Sequence, residues 1–137
     1  MAFFKRMDIG RLYVIKMVLP DGLIVHKVGM TKSDRATDRM MEILRSWFVK
    51  YRFSPYSELR LDMECNYPAE LEKHIHQVLG HSRFEPNHKV DGGTEMFVDV
   101  DEVRLIHYLR SFNSNLLEEF LELSDSDCKA VGQLLTQ

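Results

Sequence analysis

Two β-rich runs joined by Pro20-Asp21-Gly22 constrain this chain more than any other feature. Leu12 to Leu19 reads Leu-Tyr-Val-Ile-Lys-Met-Val-Leu, and Leu23 to Val28 reads Leu-Ile-Val-His-Lys-Val. Both are rich in β-branched and large apolar side chains, the composition of strands. Between them, proline presets a turn angle, aspartate bonds backbone two residues on, and glycine tolerates positive φ. A β-hairpin closed at Gly29 follows.

Beyond the hairpin the period changes. Ala36, Met40, Ile43, Leu44, Trp47 and Phe48 recur at helical spacing, with Thr31, Ser33 and Asp34 as candidate N-caps, and Pro55 ends the region. Leu59, Leu61, Met63 and Cys65 then alternate with Glu58, Arg60, Asp62 and Glu64, the pattern of a half-buried strand. Pro68 suits the first turn of a second helix carrying Leu71, Ile75, Val78 and Leu79. Met96-Phe97-Val98 reads as a short strand or buried anchor, and Asp99 with Glu102 as a capping box for a third helix through Phe112. A helical tail from Asn115 completes the chain. The expected fold class is α+β: a small, mostly antiparallel three-stranded sheet flanked by helices, with extra C-terminal helices. The expected organisation is one domain over residues 1–112 and an acidic helical extension over 113–137, packed on the core or at a dimer face.

The 137 residues suffice for one compact domain and not for two ordinary ones. No apolar run approaches the roughly 18 residues of a membrane span, and the first residues have no secretory pattern. Cys65 and Cys128 are expected as ordinary thiols of a reduced, cytoplasmic protein. Net charge is −3, but it is unevenly spread: residues 1–60 hold twelve Lys/Arg against six Asp/Glu, and residues 61–137 hold six against fifteen. The basic half suits a phosphate backbone. His74, His76, His81 and His88 match no compact zinc spacing.

Five pieces then recur in order: Tyr13-Val14-Ile15, Lys27-Val28-Gly29-Met30-Thr31, Arg39, Leu71-Glu72 with His76, and Gly93-Thr94-Glu95-Met96-Phe97. Together they resemble the GIY-YIG nuclease superfamily, in particular a phage and bacterial branch with Lys-Ile-Gly-Met-Thr and Gly-Thr-Glu-Trp-Phe type motifs. The resemblance covers about two-thirds of the chain and implies a metal-dependent endonuclease cutting DNA phosphodiesters, in a bacterial host cell if phage-encoded. It implies catalytic roles for Tyr13, Lys27, Arg39 and Glu72, with Glu72 binding Mg²⁺ or Mn²⁺. Arg35, His76, Asn87 and Lys32 are candidate substrate-binding residues.

The residue chemistry agrees with those roles. Phosphodiester hydrolysis needs an activated water and cations over the developing charge. Glu72 supplies a hard oxygen ligand, and Arg39 a permanently charged fork for phosphate. Tyr13 would position or deprotonate the water, with the Lys27 ammonium favouring its charged form or contacting phosphate. Glu72 and His76, four apart, share a helix face. Taken singly, each has an ordinary alternative: Tyr13 as a core aromatic, Arg39 and Glu72 as surface charges, Lys27 as a strand-edge charge. Arg35 and Glu70 are rivals in register, and Thr94 and Glu95 fit the tail of the family pattern, where a structural role for the loop stands beside a catalytic one.

Three departures from the superfamily pattern stand out. Arg11 occupies the usual glycine position, Lys27 that of the second tyrosine, and Ile43 that of a histidine. They leave open a catalytically degenerate copy that binds nucleic acid, or a protein-interaction factor. The C-terminal helices would then serve a homodimer or a protein partner.

Overall fold

The computed structural model describes residues 9–32, 35–86, 95–112 and 122–137. Strand β1 (Gly10–Val18) turns into β2 (Ile24–Thr31) as the turn chemistry dictates. The Gly22 N–H donates to Leu19 O at 2.8 Å, the Leu23 N–H donates to the Asp21 carboxylate at 3.0 Å, and Gly22 takes φ +88°. Helix α1 (Ala36–Tyr51), strand β3 (Tyr56–Cys65) and helix α2 (Pro68–Val78) follow. After a 3₁₀ turn (Gly80–Ser82) come the short strands β4 (Arg83–Phe84) and β5 (Met96–Val98), then α3 (Glu102–Arg110) and α4 (Asp125–Leu134).

The sheet is antiparallel throughout, in the order β3-β1-β2-β5-β4. The α+β class holds, but the three strands expected become five. The β5 strand pairs with β2 through Val25↔Val98 and Lys27↔Met96, and β4 pairs with β5. Met96–Val98, expected as a short strand or buried anchor, is β5, whereas the two residues of β4 are too few to show an alternation and only tertiary pairing reveals them.

Helices cover both faces, which explains why β1 is buried along nearly its whole length. On one face Leu12, Val14, Val28 and Leu61 pack with Leu71 and Ile75 of α2 and Leu105 and Leu109 of α3. On the other, Tyr13, Ile15, Met17 and Val25 pack with Ala36, Ile43 and Trp47 of α1. The helix ends depart from expectation. Arg35 is the N-cap residue of α1 and makes no side-chain cap bond; Thr31 belongs to β2, and Ser33 and Asp34 lie outside the described residues. For α3 the cap is Asp101, whose carboxylate accepts from the Arg104 N–H, rather than Asp99, which sits at φ +58°.

Helix α4 crosses the end of α2 with no room between them. A Cβ on Gly132 would lie 2.3 Å from the Val78 carbonyl oxygen and 2.9 Å from the His81 ring, and Cys128 and Leu135 join the core. Of the helical tail expected from Asn115, Asp125–Leu134 forms α4, and the part up to residue 121 lies outside the described residues. Among the described residues no helix is long and apolar enough to cross a membrane. Gly132→Ala is expected to cost about 1–3 kcal/mol through overpacking, read as a fall of several degrees in Tm. An unchanged Tm would contradict this seating of α4.

Candidate active site

Register brings the first two site residues together. Tyr13 pairs with Gly29 and Ile15 with Lys27, so Tyr13 and Lys27 project from one face of the hairpin. The Tyr13 ring fits because position 29 has no side chain. A Cβ there would stand 2.5 Å from the Tyr13 hydroxyl and 2.8 Å from Lys27 Nζ. The phenol oxygen and the ammonium therefore share one small space above the Gly29 backbone. Lys27 Nζ also lies 5.2 Å from the centroid of the Tyr13 ring.

Lys27 is fully buried and Tyr13 is 1% exposed. Isolating an ammonium from water costs several kcal/mol unless a counter-charge is supplied. Glu95, the residue before β5, supplies it by pairing directly with Lys27 Nζ. From the sequence alone Glu95 stands open between a structural role in the loop and a catalytic one. Its signal was present in Gly93-Thr94-Glu95, but its partner lies 68 positions away and could not be read locally.

Glu72 faces the same charges from α2. Its carboxyl is raised from 4.5 to about 7, first by burial and then by the like charge of Glu95. Lys27, a backbone hydrogen bond from Met30 and the Arg39 guanidinium oppose that rise. Four of the charged groups, Lys27, Arg39, Glu72 and Glu95, thus act on one patch. Arg39 is half-buried on α1 and is also paired with Glu42 at 3.0 Å. The register rival Glu70 acts on Cys65 instead.

His76, one turn after Glu72, donates from Nε2 to Val28 O at 2.7 Å, just beyond the end of the β2–β5 pairing, and lies against the Phe97 ring. Burial holds its pKa below the usual histidine value. A neutral ring whose proton sits on Nε2 fits that bond. Arg35 and Lys32 are exposed near the start of α1, and Arg35 donates to Thr37 Oγ1 at 3.3 Å. Asn87 and Thr94 lie outside the described residues.

The patch has an inner layer, Tyr13 and Lys27, and a partly exposed outer layer, Glu72, Arg39 and Glu95. Among the described residues no three His, Cys, Asp or Glu side chains form a group that could hold a metal. A Mg²⁺ ion needs fewer, since one or two carboxylates with water and phosphate satisfy it. Glu72 fits: it is a hard oxygen donor held away from bulk water beside a second negative charge.

A cavity of about 480 Å³ opens elsewhere, beside the β1–β2 turn, lined by Lys16, His26, Asp99 and Glu102 among others. There His26 Nε2 meets Glu102 at 3.0 Å and Arg60 meets the same carboxylate at 2.8 Å. This network fastens the start of α3 to β2 and β3. The Glu72 patch, with its convergent charges, is the better candidate for phosphoryl chemistry; a DNA backbone needs no deep cavity.

The Glu72 shift has a thermodynamic sign. The folded chain holds this proton more tightly than the unfolded one, so the associated stability is complete below about pH 4.5 and lost as pH rises to about 7. In chelator at pH 8, Glu72→Gln is expected to be more stable than wild type by on the order of 1 kcal/mol, allowing for partial exposure. The difference should vanish at pH 4. A variant less stable than wild type at pH 8 would contradict the assignment.

A family model described as the T5orf172 domain matches residues 10–130. The T5orf172 domain is a phage-associated, nuclease-like domain. Neither a curated protein nor a solved structure matches the chain.

Proposed function

The chain belongs to the T5orf172 domain family, and from that membership and the charges gathered around Glu72 we propose a metal-dependent endonuclease that hydrolyses DNA phosphodiester bonds. The observation that carries the proposal is the convergence of Lys27, Arg39 and Glu95 on the Glu72 carboxyl, with Tyr13 against Lys27. These residues come from β1, β2, α1, α2 and the position just before β5, far apart in the chain. Packing alone gives no reason to concentrate charge there, whereas phosphoryl transfer does.

In the proposed reaction the substrate phosphate meets the outer layer. Arg39 forks onto its non-bridging oxygens and stabilises the charge that grows on them at the transition state. Glu72 would hold Mg²⁺ or Mn²⁺, with water and phosphate completing the shell. That ion, when bound, supplies Lewis-acid help to the phosphate and the leaving oxygen. At the floor of the patch the Tyr13 oxygen would accept a hydrogen bond from a water and align it for in-line attack on phosphorus, the water's proton passing to bulk solvent through the partly exposed outer layer. The bond from phosphorus to the leaving oxygen breaks. His76 keeps α2 seated on β2 through Val28 O and so holds Glu72 at the phosphate. Exposed Lys32 and Arg35 extend the cationic path for the strand.

One observation favours a second function, binding of nucleic acid without cutting: Tyr13 and Lys27 are both sealed from solvent. A single experiment separates the two. Supercoiled plasmid is incubated with wild type, Glu72→Gln and Arg39→Ala, with Mg²⁺ or with EDTA. Nicking by wild type is expected only with the metal, with losses of about 10²–10³-fold for Arg39→Ala and near-complete loss for Glu72→Gln. If supercoiled, linear, branched and single-stranded DNA are all bound and none is cut with either metal, the binding function stands and the endonuclease falls.

A further inference from the structure

Lys27 is an unusual residue for a lysine to be: in the middle of a sheet, between β1 and β5, with no exposed surface. Buried ammonium groups either lose their proton or hold a carboxylate. Here the carboxylate is Glu95, and the ladder explains how it arrives. Lys27 pairs with Met96, so the residue before Met96 enters at the end of β5, next to Lys27. The Glu95 side chain is 25% exposed and Lys27 none, so Glu95 ties a sealed cation to the outer layer of the patch. Gly29 leaves the cation and the Tyr13 oxygen in one space. With zero exposure, Lys27 does not reach a substrate phosphate; its immediate neighbour in the site is Tyr13.

We propose that Glu95 is a positioning residue for the reaction: it holds the Lys27 ammonium charged and fixed behind the Tyr13 oxygen, an inference that rests on the endonuclease function proposed above. Glu95 touches neither the attacking water nor the leaving group. It acts through Lys27, whose ammonium shares the space above Gly29 with the Tyr13 oxygen and so fixes the phenol that aligns the water. No bond is made or broken at Lys27 or Glu95. The groups facing this ammonium are Glu95, just before β5, and Tyr13 from β1, with Glu72 and His76 of α2 within its electrostatic reach and Arg39 of α1 acting on Glu72. Removing the Glu95 charge takes away the directly paired anion and leaves Lys27 in a site that penalises its charged form.

The test is a cycle of isosteric variants: Glu95→Gln, Lys27→Met, the double variant, and Glu95→Asp as the conservative rescue. Each is compared with wild type by single-turnover cleavage, DNA affinity and Tm. The expected result is a loss of about 10–100-fold in cleavage rate for Glu95→Gln, with DNA affinity changed less than about twofold. Glu95→Asp should recover most of that loss. In the Lys27→Met background, Glu95→Gln should have no further effect, because residues acting as one unit are non-additive. A second readout needs no cleavage: in lysine-labelled protein followed by NMR, the Lys27 Nζ resonance should move, and its hydrogens should exchange faster with water, in Glu95→Gln than in wild type. Independent, multiplying losses in the double variant, or a Lys27 signal unmoved by Glu95→Gln, would overturn the proposal. A wild type that cuts no DNA while the Lys27 signal moves overturns the endonuclease function and, with it, the catalytic part of this inference. A wild type that cuts while Glu95→Gln cuts equally well overturns this inference alone.

Discussion

The burial of one ammonium group orders much of this molecule. Lys27 lies in the sheet with no exposed surface, and a charge in that position requires a carboxylate, a dry neighbour and room for the chain around it. Glu95 provides the first, the Tyr13 ring the second and Gly29 the third. Meeting these requirements fixes the register of β1 on β2 and places β5 on the other edge of β2. The same residues that close the fold therefore set out the candidate site, and Glu72 and Arg39 come to its rim on the two helices that cover opposite faces of the sheet.

What could be read from the sequence was local or periodic. The hairpin was legible because Pro20-Asp21-Gly22 carries its turn chemistry within three residues, and α1, β3 and α2 because their apolar spacing spans whole elements. Motif order put Tyr13, Lys27, Arg39 and Glu72 on one list before any geometry, and the fold places them around one patch. What could not be read depended on distant pairing. Strand β4 is too short for a period, and Lys27 and Glu95 stand 68 positions apart. The α3 cap moved from Asp99 to Asp101 because the tail at Leu135 and Gln137 bonds backbone groups of Asp101 and Asp99. The burial of Tyr13 was likewise invisible to motif matching, since spacing specifies a face and not what covers it.

The two ends of the sheet treat charge differently. Beside the β1–β2 turn, Glu102 is shared by His26 and Arg60, an arrangement that joins three elements and offsets its own desolvation. At the Glu72 end, a second carboxylate crowds the first and burial raises its pKa to about 7. Such crowding costs stability, which is a common property of sites that bind cations or phosphates. Lys27 and Glu95 form a unit at this end, an ammonium–carboxylate pair whose cation is sealed within the sheet.

The most direct measurement of the central claim, that these groups surround one site for a hydrated cation, is a titration of Mn²⁺ into ¹⁵N-labelled protein with paramagnetic broadening read at each amide. Broadening is predicted to begin at Met30, whose backbone bonds Glu72, and at Gly29 and Glu95, and to be lost in Glu72→Gln. Broadening that begins at Asp99 to Glu102, or that persists unchanged in Glu72→Gln, would contradict the account.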